Sequence, residues 1–293
     1  MLIADTLAGL GYLECMTLAL QPPGVAQRWR DCGIDVAVVV EILNPLSEDQ
    51  RWMRFSLMPA LLAHAARERS TRPLHTFELG HVFAARPGDP EERNLVTLLA
   101  VTKPGIEQPW TDAAFLTAKS DVLALLRAVT GADARVVRGA APGLHPGKTA
   151  ELRIGDRSVG HVGAVDPRLL RAYEIADNAV AAVIDIDALP PPVTRAVAPL
   201  SKYPALERDL AFVAGLDVTA GDLIAAMRPH PLVRRLDVFD EYRGPQIGDG
   251  KKSLAVRVTL QRDDATLTDA DADAAVGAIV ADLRERFGAA LRG

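Results

Sequence analysis

Three stretches of the chain hold residue types at spacings that can do chemistry. Asp269, Asp271 and Asp273 alternate like the first oxygen ligands of a calcium loop. Such a loop needs glycine at its sixth position and a bidentate glutamate at its twelfth; Ala274 and Val280 stand there. The three acids suit the positive end of a helix dipole instead, with Thr268 as the cap. Gly244, Gly248 and Gly250 run into Lys251 and Lys252 in the manner of a loop that cradles phosphate. The glycine-to-lysine spacing is not that of a P-loop, and the stretch joins two predicted strands rather than opening a helix. It reads as a hairpin loop whose two lysines are free to meet phosphate. Six histidines (His64, His75, His81, His145, His161 and His230) never approach an HExxH spacing, and no serine sits in a G-x-S-x-G elbow. Neither a catalytic residue nor a metal site follows from these patterns.

The third stretch is basic. From Arg228 to Arg262 eight basic residues (Arg228, Arg234, Arg235, Arg243, Lys251, Lys252, Arg257 and Arg262) stand against four acidic ones (Asp237, Asp240, Glu241 and Asp249), a local balance of +4 in a chain of net charge −5. The overall charge argues against nonspecific nucleic-acid binding by the whole chain, which depends on counterion release from phosphate, and leaves room for one basic face. On the predicted strand Ser253 to Gln261, Leu254, Val256, Val258 and Leu260 share the core face, so Arg257, Thr259 and Gln261 point the other way. On Val233 to Phe239, Leu236 and Val238 face in while Arg235 and Phe239 face out. A phenylalanine exposed among arginines on an open sheet suits base stacking with backbone contact. An ordinary half-solvated sheet with one stray aromatic fits the same spacing. Arg208 shares parity with the inward Leu210 and Phe212, and reads as a strand anchor rather than an RNA contact.

These residues must be positioned by the elements of about two domains: the chain has 293 residues, 49% hydrophobic and 24% charged, ordinary for a globular protein. Cys15 and Cys32 are too few for a disulfide framework, and a reducing compartment is the simpler setting. No apolar run reaches the roughly 18–20 residues of a membrane span. The N-terminus carries Asp5 and lacks a basic segment, unlike a secretory signal. The expectation is a cytoplasmic protein without membrane contact. Pro190, Pro191 and Pro192 stop helix and central strand alike. They place a Pro-rich linker at 191–198, between one domain of residues 1–190 and another of 199–293.

In the first domain the spacing predicts helices over Leu2 to Leu10, Ser56 to Arg69 with Ser56 as cap, and Phe115 to Val129. It predicts strands over His75 to Phe83, Leu95 to Val101 and Ala179 to Ile186, a buried strand over the β-branched run Val36 to Leu43, and a hairpin over Glu151 to Val165 turning at Gly155 and Asp156. Hairpins interrupted by helices imply an α+β domain on a largely antiparallel sheet. In the second domain the predicted order is strand Leu210 to Val213, helix Thr219 to Arg228, strand Val233 to Phe239, strand Ser253 to Gln261, helix Thr268 to Phe287 and a short strand Ala289 to Arg292. This βαββαβ order is the ferredoxin-like motif.

Three motifs resemble, in order, the ferredoxin-fold anticodon-binding domain that closes the bacterial phenylalanyl-tRNA synthetase β subunit. They are Ser201-Lys202-Tyr203-Pro204 through Arg208-Asp209-Leu210, Phe239 through Leu254, and Thr266-Leu267-Thr268-Asp269. The first domain resembles the same family: Asn44-Pro45-Leu46-Ser47 with Arg54 through Leu62, Phe77-Glu78-Leu79-Gly80 with Phe83, Leu144-His145-Pro146-Gly147, and Gly160-His161-Val162-Gly163 follow in the family's order. The resemblance implies an α+β chain, a class II synthetase-like antiparallel-sheet domain followed by a ferredoxin-like βαββαβ domain. It implies tRNA contacts at Arg235, Phe239, Tyr242, Arg243, Lys251, Lys252 and Arg257, and a subunit interface at Arg51, Trp52, Met53 and Arg54. The implied partners are a catalytic α subunit and tRNA(Phe), in an (αβ)2 heterotetramer.

The resemblance also implies a domain that has lost catalysis. A class II site wants an arginine just after its second-motif strand to bind the ATP α-phosphate. Here Phe83 is followed by Ala84 and Ala85, and Arg86 comes one step late. The third motif wants a glycine-rich strand leading to an arginine, and the last strand runs Val183-Ile184-Asp185-Ile186-Asp187. Adenylation needs placed cations for its developing charge, so ATP and Mg²⁺ are expected at the α subunit and no cofactor on this chain. Family β subunits carry further domains ahead of this region, including an editing domain. The resemblance begins at Met1 inside the synthetase-like domain, so editing is not carried over. Two other readings stand open: a noncatalytic synthetase paralogue with a regulatory or amino-acid-sensing role, and a free-standing RNA-binding module.

Overall fold

Alternating apolar residues build one large sheet in each of the two units into which the chain divides, Met1–Arg195 and Ala196–Gly293, and the first unit adds a two-stranded pair of its own. The computed structural model describes residues 2–68, 73–102, 112–193 and 201–292. Among the described residues no helix is long and apolar enough to cross a membrane.

The first unit runs α1 (Leu2–Gly9), β1 (Leu13–Glu14), β2 (Leu20–Gln21), α2 (Gly24–Asp31), β3 (Trp52–Met53), α3 (Met58–Arg67), β4 (Leu74–Ala84), β5 (Glu91–Val101), α4 (Asp112–Thr130), β6 (Arg135–Arg138), β7 (Leu144–Ile154), β8 (Arg157–Val165), α5 (Pro167–Ala172) and β9 (Ala179–Asp185). Its sheet has the order β1-β4-β5-β9-β8-β7-β6, antiparallel throughout except for the short parallel pair β1 and β4. Both faces are buried. Phe77, Leu98, Val162 and Ala182 pack with Leu7 of α1 and Val122 and Leu126 of α4. Leu74, Leu99, Val165 and Ala181 pack with Trp29 of α2, Leu61 of α3 and Leu169 of α5. A sheet buried on both sides explains why β9 reads as a nearly continuous apolar run.

The predicted helices and hairpin form, with small shifts at the ends. Ser56 accepts from the Met58 amide at 3.2 Å, although the cap position itself falls to Leu57. Arg69, at the predicted end of that helix, and residues 194–198 of the linker lie outside the described residues. The expected buried strand Val36 to Leu43 does not form. Val38 and Leu43 are 69% and 94% exposed, and the segment makes one isolated bridge, Glu41 to Trp52. β-branched composition favours a strand only where a partner and a covering layer exist, and this run lies at the margin of the unit beside β3.

The second unit runs β10 (Leu206–Gly215), α6 (Ala220–Met227), β11 (Val233–Tyr242), β12 (Lys251–Leu260), α7 (Asp269–Phe287) and β13 (Ala290–Leu291). The strand order β11-β12-β10-β13, with antiparallel neighbours, is the ferredoxin-like arrangement expected from the βαββαβ order. Thr219 and Thr268 each cap a helix in a reciprocal box with Asp222 and Asp271. The acids read above against calcium binding therefore serve the start of α7. Phe212, Val256, Val258, Leu223 and Ile279 form the core between one sheet face and the two helices. Among the described residues of this unit, no helix covers the other face.

Candidate nucleic-acid interface

The helix-free face is set by strand register. Opposite Arg257 on β12 stand Asp209 on β10 and Asp237 on β11, and opposite Thr259 stand Glu207 and Arg235. The pairing then slips between Val238 and Asp240, where β11 carries one residue more than β12. That bulge leaves Phe239 55% exposed, with the Arg257 guanidinium carbon 5.5 Å from its ring centroid. It also reverses parity beyond it, as a bulge does. Glu241 faces Leu254 on the core side, and Tyr242 faces Ser253 on the open side. Two aromatic rings thus reach one face of a strand whose uninterrupted alternation would have separated them. Tyr242 is 37% exposed, and the guanidinium of Arg292, just after β13, lies 5.6 Å from its ring centroid. Both distances are within the range of a cation–π contact.

The local excess of positive charge is balanced in place. Arg257 donates from Nε and Nη2 to the two Asp209 oxygens at 2.8 Å, and its hydrogen bonds hold the Asp209 carboxyl below the usual carboxylate range. Arg235 pairs with Asp237 at 2.7 Å, Arg243 with Glu241 at 2.6 Å, and Arg234 with Asp263 at 2.5 Å. By register the open face holds Arg235, Lys251, Arg257 and Arg292 against Glu207, Asp209, Asp237 and Asp240. The face offers arginine-backed rings and ion pairs open to solvent rather than a net positive field.

Of the predicted contact residues, the structure brings Arg235, Phe239, Tyr242, Lys251 and Arg257 to the open face or its hairpin end. Arg243 lies at the same end and is engaged by Glu241. Lys252 is a correction. It is only 6% exposed, because alternation along β12 turns it to the core side with Leu254, where its Nζ stands 3.9 Å from Glu241. It is not placed to meet phosphate. Arg208 pairs with Asp269 at 2.7 Å on the helix side, as its parity requires. Arg292 and Gln246 were not anticipated. Their only sequence signal is the ferredoxin-like order, which brings the last strand beside β10 and its end toward the β11–β12 hairpin.

The first unit places its predicted interface residues unevenly. Arg51 is half-buried and bound to Glu41 and Glu48 at 2.8 Å. Trp52 and Met53 are half-buried, and the Trp52 indole N–H is shielded without an acceptor. Arg54 does not lie on the surface. It is 7% exposed and pairs at 2.7 Å with Glu78, itself 1% exposed. Arg54 Nε also donates to the His81 carbonyl at 2.7 Å, and Glu78 accepts from the Thr17 amide and hydroxyl. Gly80 leaves room for the guanidinium, which would collide with any Cβ there. The arginine and the Phe77-Glu78-Leu79-Gly80 motif are therefore one internal clamp. A buried charge needs such partners.

The positions where a class II site holds ATP do not fit a triphosphate. Ala84 and Ala85 offer no cation, and Arg86 is paired with Glu91 on β5. β9 ends in Asp185, which caps the backbone of Asp187 and Ala188 and faces Arg93 at 3.6 Å. His161 faces the same side from β8, its pKa lowered by burial. Among the described residues no group of three or more His, Cys, Asp or Glu is arranged to hold a metal ion.

Comparison with known proteins covers both units. Residues 1–186 match the model described as the phenylalanyl tRNA synthetase beta chain CLM domain, and residues 201–292 match the ferredoxin-fold anticodon binding domain. The phenylalanine–tRNA ligase beta subunit of Methylococcus capsulatus is 35% identical over 299 residues, covering 99% of this chain and 37% of that protein. The corresponding subunit of Moorella thermoacetica is 37% identical over 265 residues, covering 86% of this chain and 33% of that protein. The chain thus spans about a third of the length of these relatives. A solved structure of Desulfitobacterium hafniense PylSc, a pyrrolysyl tRNA synthetase, shares the fold with a TM-score of 0.50 at 16% identity, over 64% of this chain and 65% of that one.

Proposed function

The chain belongs to the phenylalanyl-tRNA synthetase beta chain family, and from that premise we propose that it is a noncatalytic part of phenylalanine–tRNA ligase that scaffolds a catalytic α subunit and binds tRNA(Phe). One observation carries the tRNA half of this reading. The helix-free face of the anticodon-binding fold presents two exposed rings, Phe239 and Tyr242, each backed by an arginine. Aromatic faces stack on unpaired bases whatever their sequence, and arginine adds to the stack. Anticodon bases are unpaired and can be splayed onto such a surface. Lys251, with no carboxylate partner among the described residues, meets backbone phosphate, and the exposed arginine pairs exchange their carboxylates for phosphate as RNA arrives.

The scaffolding half rests on the margin of the first unit. Segment 13–21 runs along β4, bonding Cys15 N to Phe77 O, and its end pairs with β3, which in turn bonds to residues 40–42. Across these layered segments Met16, Leu18, Val38, Leu43 and Leu46 are largely exposed. Exposed apolar side chains gathered along such a margin suit a protein contact, and they give the α subunit a broader footing than Trp52 and Met53 alone. ATP and Mg²⁺ act at the α subunit, the assembly is an (αβ)2 heterotetramer, and its setting is the cytoplasm.

Co-expression with a phenylalanyl-tRNA synthetase α subunit, followed by gel filtration with and without tRNA(Phe), tests both halves. Co-elution with α and a further shift with tRNA are expected. A chain that elutes alone and binds a free metabolite instead refutes the assignment.

A further inference from the structure

Tyr242 is the last residue of β11, and the chain leaves the sheet directly after it, so the strand alone does not fix its ring. The ring is seated against Gly244. A Cβ on that glycine would collide with the tyrosine hydroxyl and stand 2.7 Å from Cζ and 3.1 Å from Cε1. Gly244 is not among the glycines with positive φ, so turn geometry does not demand glycine there. The space above it does. The same short turn is closed by the Ile247 amide bonding to the Gly244 carbonyl at 3.0 Å, and Ile247 is buried. Its Gln246 accepts from Arg292 Nη2 at 3.2 Å, while the Arg292 guanidinium lies over the Tyr242 ring. The Arg292 amide donates to the Ala211 carbonyl at 2.7 Å, which ties the end of the chain to the central strand.

The geometry points to Gly244, Gln246 and Arg292 as positioning residues that hold Tyr242 as a fixed platform on the RNA face, Gly244 by seating the ring and the Arg292–Gln246 pair by clamping it. This inference rests on the tRNA reading of that face. An exposed tyrosine left free must be ordered when its ligand arrives, and that ordering subtracts from affinity. A ring already seated avoids the loss. Arg292 reaches the ring from the far end of the chain, so the platform is completed only once β13 has joined the sheet.

The test uses the full chain labelled with 3-fluorotyrosine, with the Tyr242 resonance assigned as the one missing in Tyr242→Phe. Gly244→Ala is expected to move that resonance and leave those of Tyr12, Tyr173 and Tyr203 in place, with an unchanged unfolding midpoint. Its tRNA affinity is expected to fall about as far as that of Tyr242→Ala, about 5- to 150-fold. The double variant is expected to bind no more weakly than Tyr242→Ala, because both changes remove one contact. Arg292→Ala approaches the same ring from the solvent side without crowding the turn, and is expected to move the same resonance with a smaller loss. An unmoved Tyr242 resonance in Gly244→Ala overturns the seat. Full tRNA affinity in Gly244→Ala beside a weakened Tyr242→Ala overturns the positioning role alone. Wild-type affinity in both Tyr242→Ala and Phe239→Ala overturns the RNA reading of the face, while the fluorine spectrum still reports on the seat.

Discussion

Arg54 in the first unit and Arg257 in the second each hold a carboxylate, at 2.7 and 2.8 Å, and the two pairs do opposite work. Arg54 and Glu78 are enclosed, with side chains 8% and 2% exposed, and Thr17 and the His81 carbonyl also bond to them. Arg257 and Asp209 are 46% and 47% exposed beside an aromatic ring. In the enclosed pair, loss of either partner strands a charge away from water. In the open pair, water or a phosphate takes the place of either partner at little cost. One ion-pair chemistry therefore locks the synthetase-like unit and leaves the helix-free face of the ferredoxin-like unit exchangeable. Burial, rather than distance, decides which role a pair plays.

The largest effect is expected where the comparison is sharpest. Glu78→Ala should destabilise the first unit by about 3–5 kcal/mol, since Arg54 is left buried and unpaired. Chemical denaturation of the full chain reads this as an early first transition. A loss below about 1 kcal/mol would remove the distinction between the two pairs.

Asp166 is an intermediate case, nearly buried at 4% while its partner Arg168 is 45% exposed. It caps α5 by accepting from the Arg168 amide at 2.8 Å, and the Arg168 side chain, with that amide, holds its carboxyl below the usual range. Asp166→Ala should cost about 0.5–2 kcal/mol at neutral pH. The sign with pH follows from a depressed folded pKa. The contribution is fully present above the unfolded value of about 3.9 and is lost as pH falls through the lower folded value. The gap between wild type and Asp166→Ala should therefore close below about pH 4 in thermal unfolding series. A gap independent of pH would assign the loss to packing.

The open pair should give the smallest change in stability and the most informative change in binding. Asp209→Asn is expected to leave the unfolding midpoint where it is, while freeing Arg257 to strengthen tRNA binding and steepen its salt dependence. Weaker binding would mean that Asp209 orients Arg257 rather than covering it. Lys251→Ala should reduce the slope of log affinity against log salt by about 0.7–0.9, one phosphate contact. Lys252→Ala should leave that slope unchanged, because its side chain is buried behind the sheet. Equal slopes for the two lysine variants would contradict the facing read from β12.

Much of the second unit was legible because its helices begin at Thr-Asp boxes and its core positions alternate cleanly on β10 and β12. The site was legible only as far as β11 kept its alternation. Nothing in Val238-Phe239-Asp240 announces an extra residue, since a bulge is a property of two strands in register. Parity alone therefore gave Phe239 its facing and gave none to Tyr242. Lys251 and Lys252 look interchangeable as letters, and the pleat separates them. In the first unit the partly exposed run Val36 to Leu43 reads as a strand for a related reason: composition reports fitness for a sheet, and the structure supplies too little pairing for one. Arg54 looked like a surface residue beside Trp52 because its partner, Glu78, lies 24 residues away on another strand.

Binding of tRNA by the helix-free face of the second unit, through its exposed rings, is open to direct measurement. The direct measurement is tRNA(Phe) affinity of the full chain and of Phe239→Ala at several salt concentrations. A loss of about 1–3 kcal/mol at every salt concentration with an unchanged slope is expected, because a stacked ring contributes without releasing counterions. Unchanged affinity in a folded Phe239→Ala chain would contradict it and place the tRNA elsewhere.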